Sequence, residues 1–358
     1  MTSLVTENTF DTCVRSLAST MTEVNDENST FTWDGSLVER DENRMFVAYY
    51  GVDYVEPMAD VPFSARHVVV SDNVTDIPDM CFARCTPLVS IKISRSVKQI
   101  GYYAFFGCSG LKAMEIPNSV STIGDKAFHS CTELTTVDIP NSVSAIGNGA
   151  FSRCTGLKAL DIPNSVSMIG DFAFQDCTGL TTLDIPNSVS TIGLCTFSRC
   201  TGLTTLEIPA SVTRIGRNAF EDCTGLTTLD IPNSVSTIGD GAFSGCTGLT
   251  TLEIPSSVTK IGRNAFGDCS SLKFVRITVG ELECLQRHTL RRCTSLTNLV
   301  ICNSKDETEC FHFDLWHEKD PVSGDYIYQD EISALETAKG LRAIDADVVS
   351  LNAPLSYQ

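Results

Sequence analysis

The chain has 358 residues, sixteen of them cysteine, and a formal charge of −18 at neutral pH. The acidity sits in the flanks: residues 1–61 carry net −9 and 303–358 net −8, which leaves −1 for 62–302. That balance argues against nucleic acid and anionic membranes as partners, since both call for a basic face. No run approaches 18 apolar residues, so no membrane-spanning helix is expected.

Residues 1–30 are polar and acidic, with apolar residues around Phe10–Leu17 that fit a short helix. The start lacks the basic and apolar regions of a signal peptide. Phe31-Thr-Trp33 and Met45–Tyr50 are aromatic-rich and predict strands. They precede a repeat array whose exposed apolar end needs a cover, so a capping role is expected.

From residue 62 the chain repeats. Cys85, Cys108, Cys131, Cys154, Cys177, Cys200, Cys223, Cys246 and Cys269 follow one another at 23 residues, and Cys293 comes after 24. Counting each cysteine as zero, apolar residues recur at +3, +6, +8, +12, +15 and +20, as in Leu226, Leu229, Ile231, Val235, Ile238 and Phe243. Residues 62–84 form a degenerate first coil, with Val68, Val70, Val74, Ile77 and Phe82 in the later slots. A fixed period in this range opening on Leu-x-x-Leu-x-Ile is the signature of a leucine-rich repeat.

The +6/+8 pair predicts a short strand, and Val at +12 with Ile at +15 a second extended piece. Proline at +9 ends the first strand because it has no N–H for a ladder. Glycine at +16 (Gly124, Gly147, Gly170, Gly193, Gly216, Gly239, Gly262) is expected at a turn of positive φ. One coil buries too little to order itself, so neighbours must stack.

The cysteine ladder is read as reduced. Equivalent positions in stacked coils lie about 4.8 Å apart with parallel Cβ vectors, whereas a disulfide needs them closer and converging. The thiols are expected to be buried and to bond weakly to the neighbouring turn. Cys81-x3-Cys85 and Cys195-x4-Cys200 are chance pairings of a ladder cysteine with a variable one, and no metal or cofactor is expected. With free thiols and no export signal, the expected compartment is the cytoplasm, where the glycosylation triads at Asn28 and Asn73 go unused.

Coils from 85 to 268 are regular, and alternating sub-types give a 46-residue super-period that suggests duplication of coil pairs. The coil from Cys269 is worn, with Leu282, Leu285 and Leu290 in its apolar slots, and a half coil follows at Leu296, Leu299 and Ile301. Residues 303–358 leave the repeat, and apolar residues at 332, 335, 338, 341 and 344 predict a helix. The expected division is therefore an acidic flank and cap at 1–61, a solenoid at 62–302 and an acidic flank at 303–358.

The pattern Cys-x-x-Leu-x-x-Leu-x-Ile-Pro-x-Ser-Val-x-x-Ile-Gly-x-x-Ala-Phe, best kept over Cys108–Asp268, resembles the BspA-like class of leucine-rich repeats. The resemblance implies a mainly β, right-handed solenoid of about ten 23-residue coils with parallel strands, used for adhesion or protein–protein binding and without catalytic residues. It also brings the cell surface as the alternative compartment, because bacterial members are commonly exported.

In the first strand +3, +6 and +8 point inward, which leaves +5 and +7 outside. The +7 row is acidic (Glu115, Asp138, Asp161, Asp184, Glu207, Asp230, Glu253), with Lys92 and Arg276 at its ends. The +5 row is small: Ala113, Thr136, Ala159, Thr182, Thr205, Thr228 and Thr251, then Phe274. The seven acids and the five threonines of these rows are the candidate site, a strip for a basic surface of a partner protein bound by a monomeric scaffold. The plainer alternative is a solvated face copied along with the coil. Lys98, Arg214, Arg217, Lys260 and Arg263 make a basic set on the opposite side, expected to pair with neighbours such as Glu221, Asp222 and Asp268. Chemistry at His312-Phe-Asp-Leu-Trp-His317 is the remaining alternative, with a loop or cap the expected role.

Overall fold

The computed structural model describes residues 66–279 and 289–303, together with the strand backbones at 30–33, 306–314, 318–319 and 326–327. Each coil lays down two short strands. The first row comprises Ser90–Lys92, Ala113–Glu115, Thr136–Asp138, Ala159–Asp161 and Thr182–Asp184, then Thr251–Ile254, Phe274–Val279 and Asn298–Asn303. Between them, isolated bridges carry the row from Asp184 to Glu207 and from Glu207 to Asp230. The second row is made of two-residue strands from Asp76–Ile77 to Lys260–Ile261. Neighbouring coils pair in parallel 23 residues apart, as in Leu160 with Leu183 and Ile215 with Ile238. The described residues contain no helix. The result is a β-solenoid of about ten turns.

The apolar offsets all face the interior. Phe82, Phe105, Phe128, Phe151, Phe174, Phe197, Phe220, Phe243 and Phe266 are fully buried. Their rings stack at 5.1–5.5 Å with interplanar angles of 2–13°. Identical side chains in identical slots stack because the coil spacing suits an offset aromatic pair. The twelve cysteines Cys81 through Cys293 among the described residues that carry free thiols are all buried. As expected, each ladder thiol from Cys108 onward bonds to a neighbouring turn: Cys131 to the carbonyl of Phe105 at 3.1 Å, Cys200 to that of Phe174 at 3.2 Å.

Hydroxyls knit the coils further. In five coils serine at +11 donates to the carbonyl of the valine one coil earlier, as in Ser142 to Val120 at 2.6 Å and Ser234 to Val212 at 2.7 Å. The hydroxyls of Ser119, Ser165 and Ser257 at the same position are buried without a partner among the described residues. Threonine or serine at +13 repeats the device, with Thr213 on the carbonyl of Ser190 at 3.2 Å. Much of the repeat's polar composition therefore belongs to the stacking, since it satisfies carbonyls that the short strands leave open.

The expectation for glycine at +16 is corrected. None of the seven has a positive φ; the left-handed residues lie at +18 and +22, where Lys126, Arg153, Phe172, Asp176, Arg199 and Asp222 have φ of 52–61°. Glycine at +16 is needed for clearance. A Cβ on Gly124 would lie 2.7 Å from the carbonyl carbon of Gly101, and one on Gly170 2.5 Å from the amide nitrogen of Asn148. The glycines form a column along which neighbouring backbones approach closely.

At the N-terminal end Thr30–Trp33 pairs in parallel with His67–Val70, so the aromatic segment predicted as a strand extends the first sheet. At the other end Asp306–Asp314 adds antiparallel to Asn298–Asn303 and ends the run of parallel strands, which the sequence did not suggest. Leu290, Leu296, Leu299 and Ile301 are buried as the worn coil predicts. Cys302, outside the ladder, is disulfide-bonded. The helices expected around 10–17 and 331–344, the strand at 45–50, and Leu282 and Leu285 lie outside the described residues, as do the side chains of His312–His317.

Candidate exposed-face binding site

The first-row strands from Ser90–Lys92 to Thr182–Asp184, and Thr251–Ile254, alternate exposed, buried, exposed, because a period of two turns +5 and +7 out while +6 enters the core. All twelve candidate residues are therefore exposed on one face: Glu115, Asp138, Asp161, Asp184, Glu207, Asp230 and Glu253 in the acidic row, with Thr136, Thr182, Thr205, Thr228 and Thr251 beside it. Pairing brings Glu115 opposite Asp138, Asp161 opposite Asp184, and Glu253 opposite Arg276. Among the described residues none of the seven carboxylates takes part in an ion pair. Their neighbours in the row are one another, and like charges at strand spacing repel.

The C-terminal end of the row is shaped differently. Asp230, Glu253 and Arg276 border an open hollow of about 620 Å³, lined also by Pro232, Asn233 and Pro255. Here the row changes sign, so Asp230, Glu253 and Arg276 bring both charges to one recess.

The basic set on the other side does not pair as expected. Arg214 and Lys260 are exposed in the second sheet, each opposite Thr237. Asp222 pairs with Arg199 at 3.7 Å and Asp268 with Arg292 at 3.6 Å. Lys98, Arg214, Arg217, Lys260 and Arg263 make no ion pair among the described residues. The +22 residues are closer to those acids, since they occupy the same column of the turn side.

Two turn-side features were not anticipated. Arg153, Asp176, Arg199 and Asp222 occupy +22 in four successive coils and alternate in charge, with pairs at 3.7–3.8 Å. That column is visible in the sequence once +22 is read down the repeat. The coil from Cys85 also places Tyr102, Tyr103 and Phe106 where other coils are mostly polar. Tyr102 packs edge-on against Tyr103 at 4.1 Å, and Lys126 Nζ donates to the Tyr103 hydroxyl at 2.7 Å. Desolvation, then the hydrogen bond with Tyr103, raises the Tyr102 phenol to about 12. Tyr103 and Phe106 are buried within the cluster, and Tyr102 alone of the three is substantially open, at 42%.

Burial works against nucleophilic chemistry at much of the ladder. Burial raises Cys177 and Cys223 to about 12 and Cys85 to about 11, so the reactive thiolate is scarce. Among the described residues no three histidine, cysteine, aspartate or glutamate side chains gather as a metal ion would need. No helix there is long and apolar enough to cross a membrane.

Several solved structures are similar to this chain. The T. pallidum leucine-rich repeat protein is 30% identical and aligns with 44% of this chain and 77% of its own, with a TM-score of 0.41. A leucine-rich cell surface protein of Faecalibacterium prausnitzii is 26% identical over 78% of this chain and 88% of its own, TM-score 0.43. The pneumococcal vaccine antigen PcpA is 22% identical over 67% and 68%, TM-score 0.47. No curated protein sequence matches. The family model for the BspA-type leucine-rich repeat region, built of six copies, matches residues 75–204 and again 195–314. Those matches span most of the solenoid and more than half of the chain, and the protein therefore belongs to the BspA-type leucine-rich repeat family.

Proposed function

We propose that the protein is a non-catalytic interaction scaffold that binds a basic protein surface along the exposed strand face. The observation that carries this is the column of seven exposed carboxylates in successive coils, held on a stacked frame with no ion pair among the described residues. A surface of like charges at fixed spacing disfavours itself and favours a complementary partner, and complementarity governs encounter and specificity. The small +5 residues keep the strip flat and accessible. Membership of a leucine-rich repeat family supports binding rather than catalysis as the task of the array.

Of the two compartments considered, the disulfide at Cys302 favours the outside of the cell, because disulfides persist where the medium oxidises. The buried ladder fits either compartment, since burial protects those thiols from oxidation. An adhesive role at a cell surface is the form of the scaffold reading that this observation supports.

The test is capture from native material with the full chain, set against a variant carrying Asp161→Lys, Asp184→Lys and Glu207→Lys. A control variant, Met168→Lys with Thr191→Lys, alters exposed residues of the second sheet. Basic proteins captured by the parent and the control, lost from the triple variant and released by salt, are the expected outcome. Identical capture by all three would remove the strip from consideration.

A further inference from the structure

The first coil breaks a rule that later coils keep. From the coil of Cys85 to that of Cys246, +11 is a partly buried serine, and in five of these eight coils its hydroxyl bonds the coil before: Ser96 bonds the carbonyl of Val74 at 2.6 Å, and Ser211 that of Val189 at 2.7 Å. In the first coil the +11 residue is Asn73. It is exposed, in the turn that precedes buried Val74, and it is followed at +13 by exposed Thr75, whose hydroxyl bonds Asp76 at 2.9 Å.

Asn73-Val-Thr75 has the composition of an acceptor for an N-linked oligosaccharide: an asparagine, a residue other than proline, and a hydroxyl two positions on. The repeat otherwise excludes such triads. Its recurrent asparagine lies at +10, as in Asn118-Ser-Val120, and the position where a hydroxyl is required is the buried core valine. Among the described residues, the exception therefore falls at the one coil where +11 is fully exposed. Asn73 leads into Asp76–Ile77, the terminal strand of the second sheet, so a glycan there leaves the acidic row uncovered.

A second feature points to the same route through the cell. Cys302 is disulfide-bonded, and secretory compartments that form disulfides also hold the lipid-linked sugar donor. We propose that Asn73 is an N-glycosylation site. The side-chain amide nitrogen bonds to the anomeric carbon of a lipid-linked oligosaccharide pyrophosphate. The bond from that carbon to the pyrophosphate oxygen breaks, the lipid pyrophosphate leaves, and the amide gives up one proton. No oxidant or reductant is needed.

The test uses the full chain purified from its native cells. Peptide-N-glycosidase in heavy-oxygen water should convert Asn73 to a labelled aspartate and lower the intact mass by one glycan. Asn73→Gln, expressed in the same cells, should lack that mass increment and melt within about a degree of the enzymatically deglycosylated protein. Recovery of the peptide with unmodified asparagine at 73 would overturn the proposal, and so would a glycan carried by Asn28 alone.

Discussion

Cys177 donates its thiol proton to the carbonyl of Phe151, 26 residues earlier, at 3.1 Å. The same oxygen accepts the backbone N–H of Cys154, also at 3.1 Å. One carbonyl thus closes its own turn and holds the turn of the next coil, and the arrangement recurs from Phe82 to Phe243. Replacing Cys177 with alanine removes a buried donor and leaves a small void. We expect a loss of about 1–2 kcal/mol in urea melts. Thiol titration of the native protein at pH 7 should modify few ladder cysteines, and denaturant without reductant should expose nearly all of them.

The same burial sets a pH dependence. Cys177 and Cys223 rise from an ordinary value near 9 to about 12 in the folded chain. Between those values the unfolded chain has lost protons that the folded chain keeps, so stability is intact below pH 9 and falls as pH climbs toward 12. Each such thiol contributes a slope of about 1.4 kcal/mol per pH unit inside that window. Denaturant melts at pH 8 and pH 10.5 should separate clearly, and Cys177→Ala should flatten the difference.

The column of glycines makes a third expectation. Gly170→Ala forces a Cβ within 2.5 Å of the amide of Asn148, on the backbone of the coil before, where nothing can rotate away. Overpacking of this kind should cost about 3 kcal/mol and lower Tm visibly. Ser130→Gly acts on a residue at φ 62°, in a column where other coils carry Gly107 and Gly245. Relief of the left-handed strain offsets the added chain entropy, so its melt should match or exceed that of the parent.

The repeat was legible because each apolar slot serves one purpose throughout the regular coils: Phe at +20, Ile at +15 and Cys at zero recur and are buried together. Glycine at +16 was misread because a lone glycine signals either a positive φ or a close approach, and only stacking decides between them. The +22 ion column escaped notice because its partners lie 23 residues apart, beyond the range in which charge pairs are usually sought. The strand at 306–314 follows no repeat, so it gave no periodic signal that could have foretold its antiparallel pairing.

Arg199 occupies the middle of the +22 column, 3.7 Å from Asp176 and 3.7 Å from Asp222. Its side chain is 55% exposed, so each pair is worth about 0.2–1 kcal/mol. Arg199→Glu places three carboxylates in a row and adds repulsion to the lost attraction. Tm should fall at low ionic strength and recover part of the loss in 0.5 M salt. Arg199→Gln should lie between the two at low salt and show the smaller salt response.

The acidic row calls for the opposite sign. Asp184 pairs with Asp161 on one side and bridges to Glu207 on the other, and none of the three takes part in an ion pair among the described residues. At strand spacing, two unit charges in water interact by about 1 kcal/mol before screening. Asp184→Lys replaces two repulsions with two attractions on an exposed face whose backbone contacts stay as they are. Tm should therefore rise at low ionic strength, and the gain should shrink as salt brings the screening length to about 8 Å or less. Met168→Lys, exposed on the other sheet, should give no such gain. A fall in Tm for Asp184→Lys would mean that the row is not held under mutual repulsion. The case for a basic partner drawn to it would then lose its physical basis.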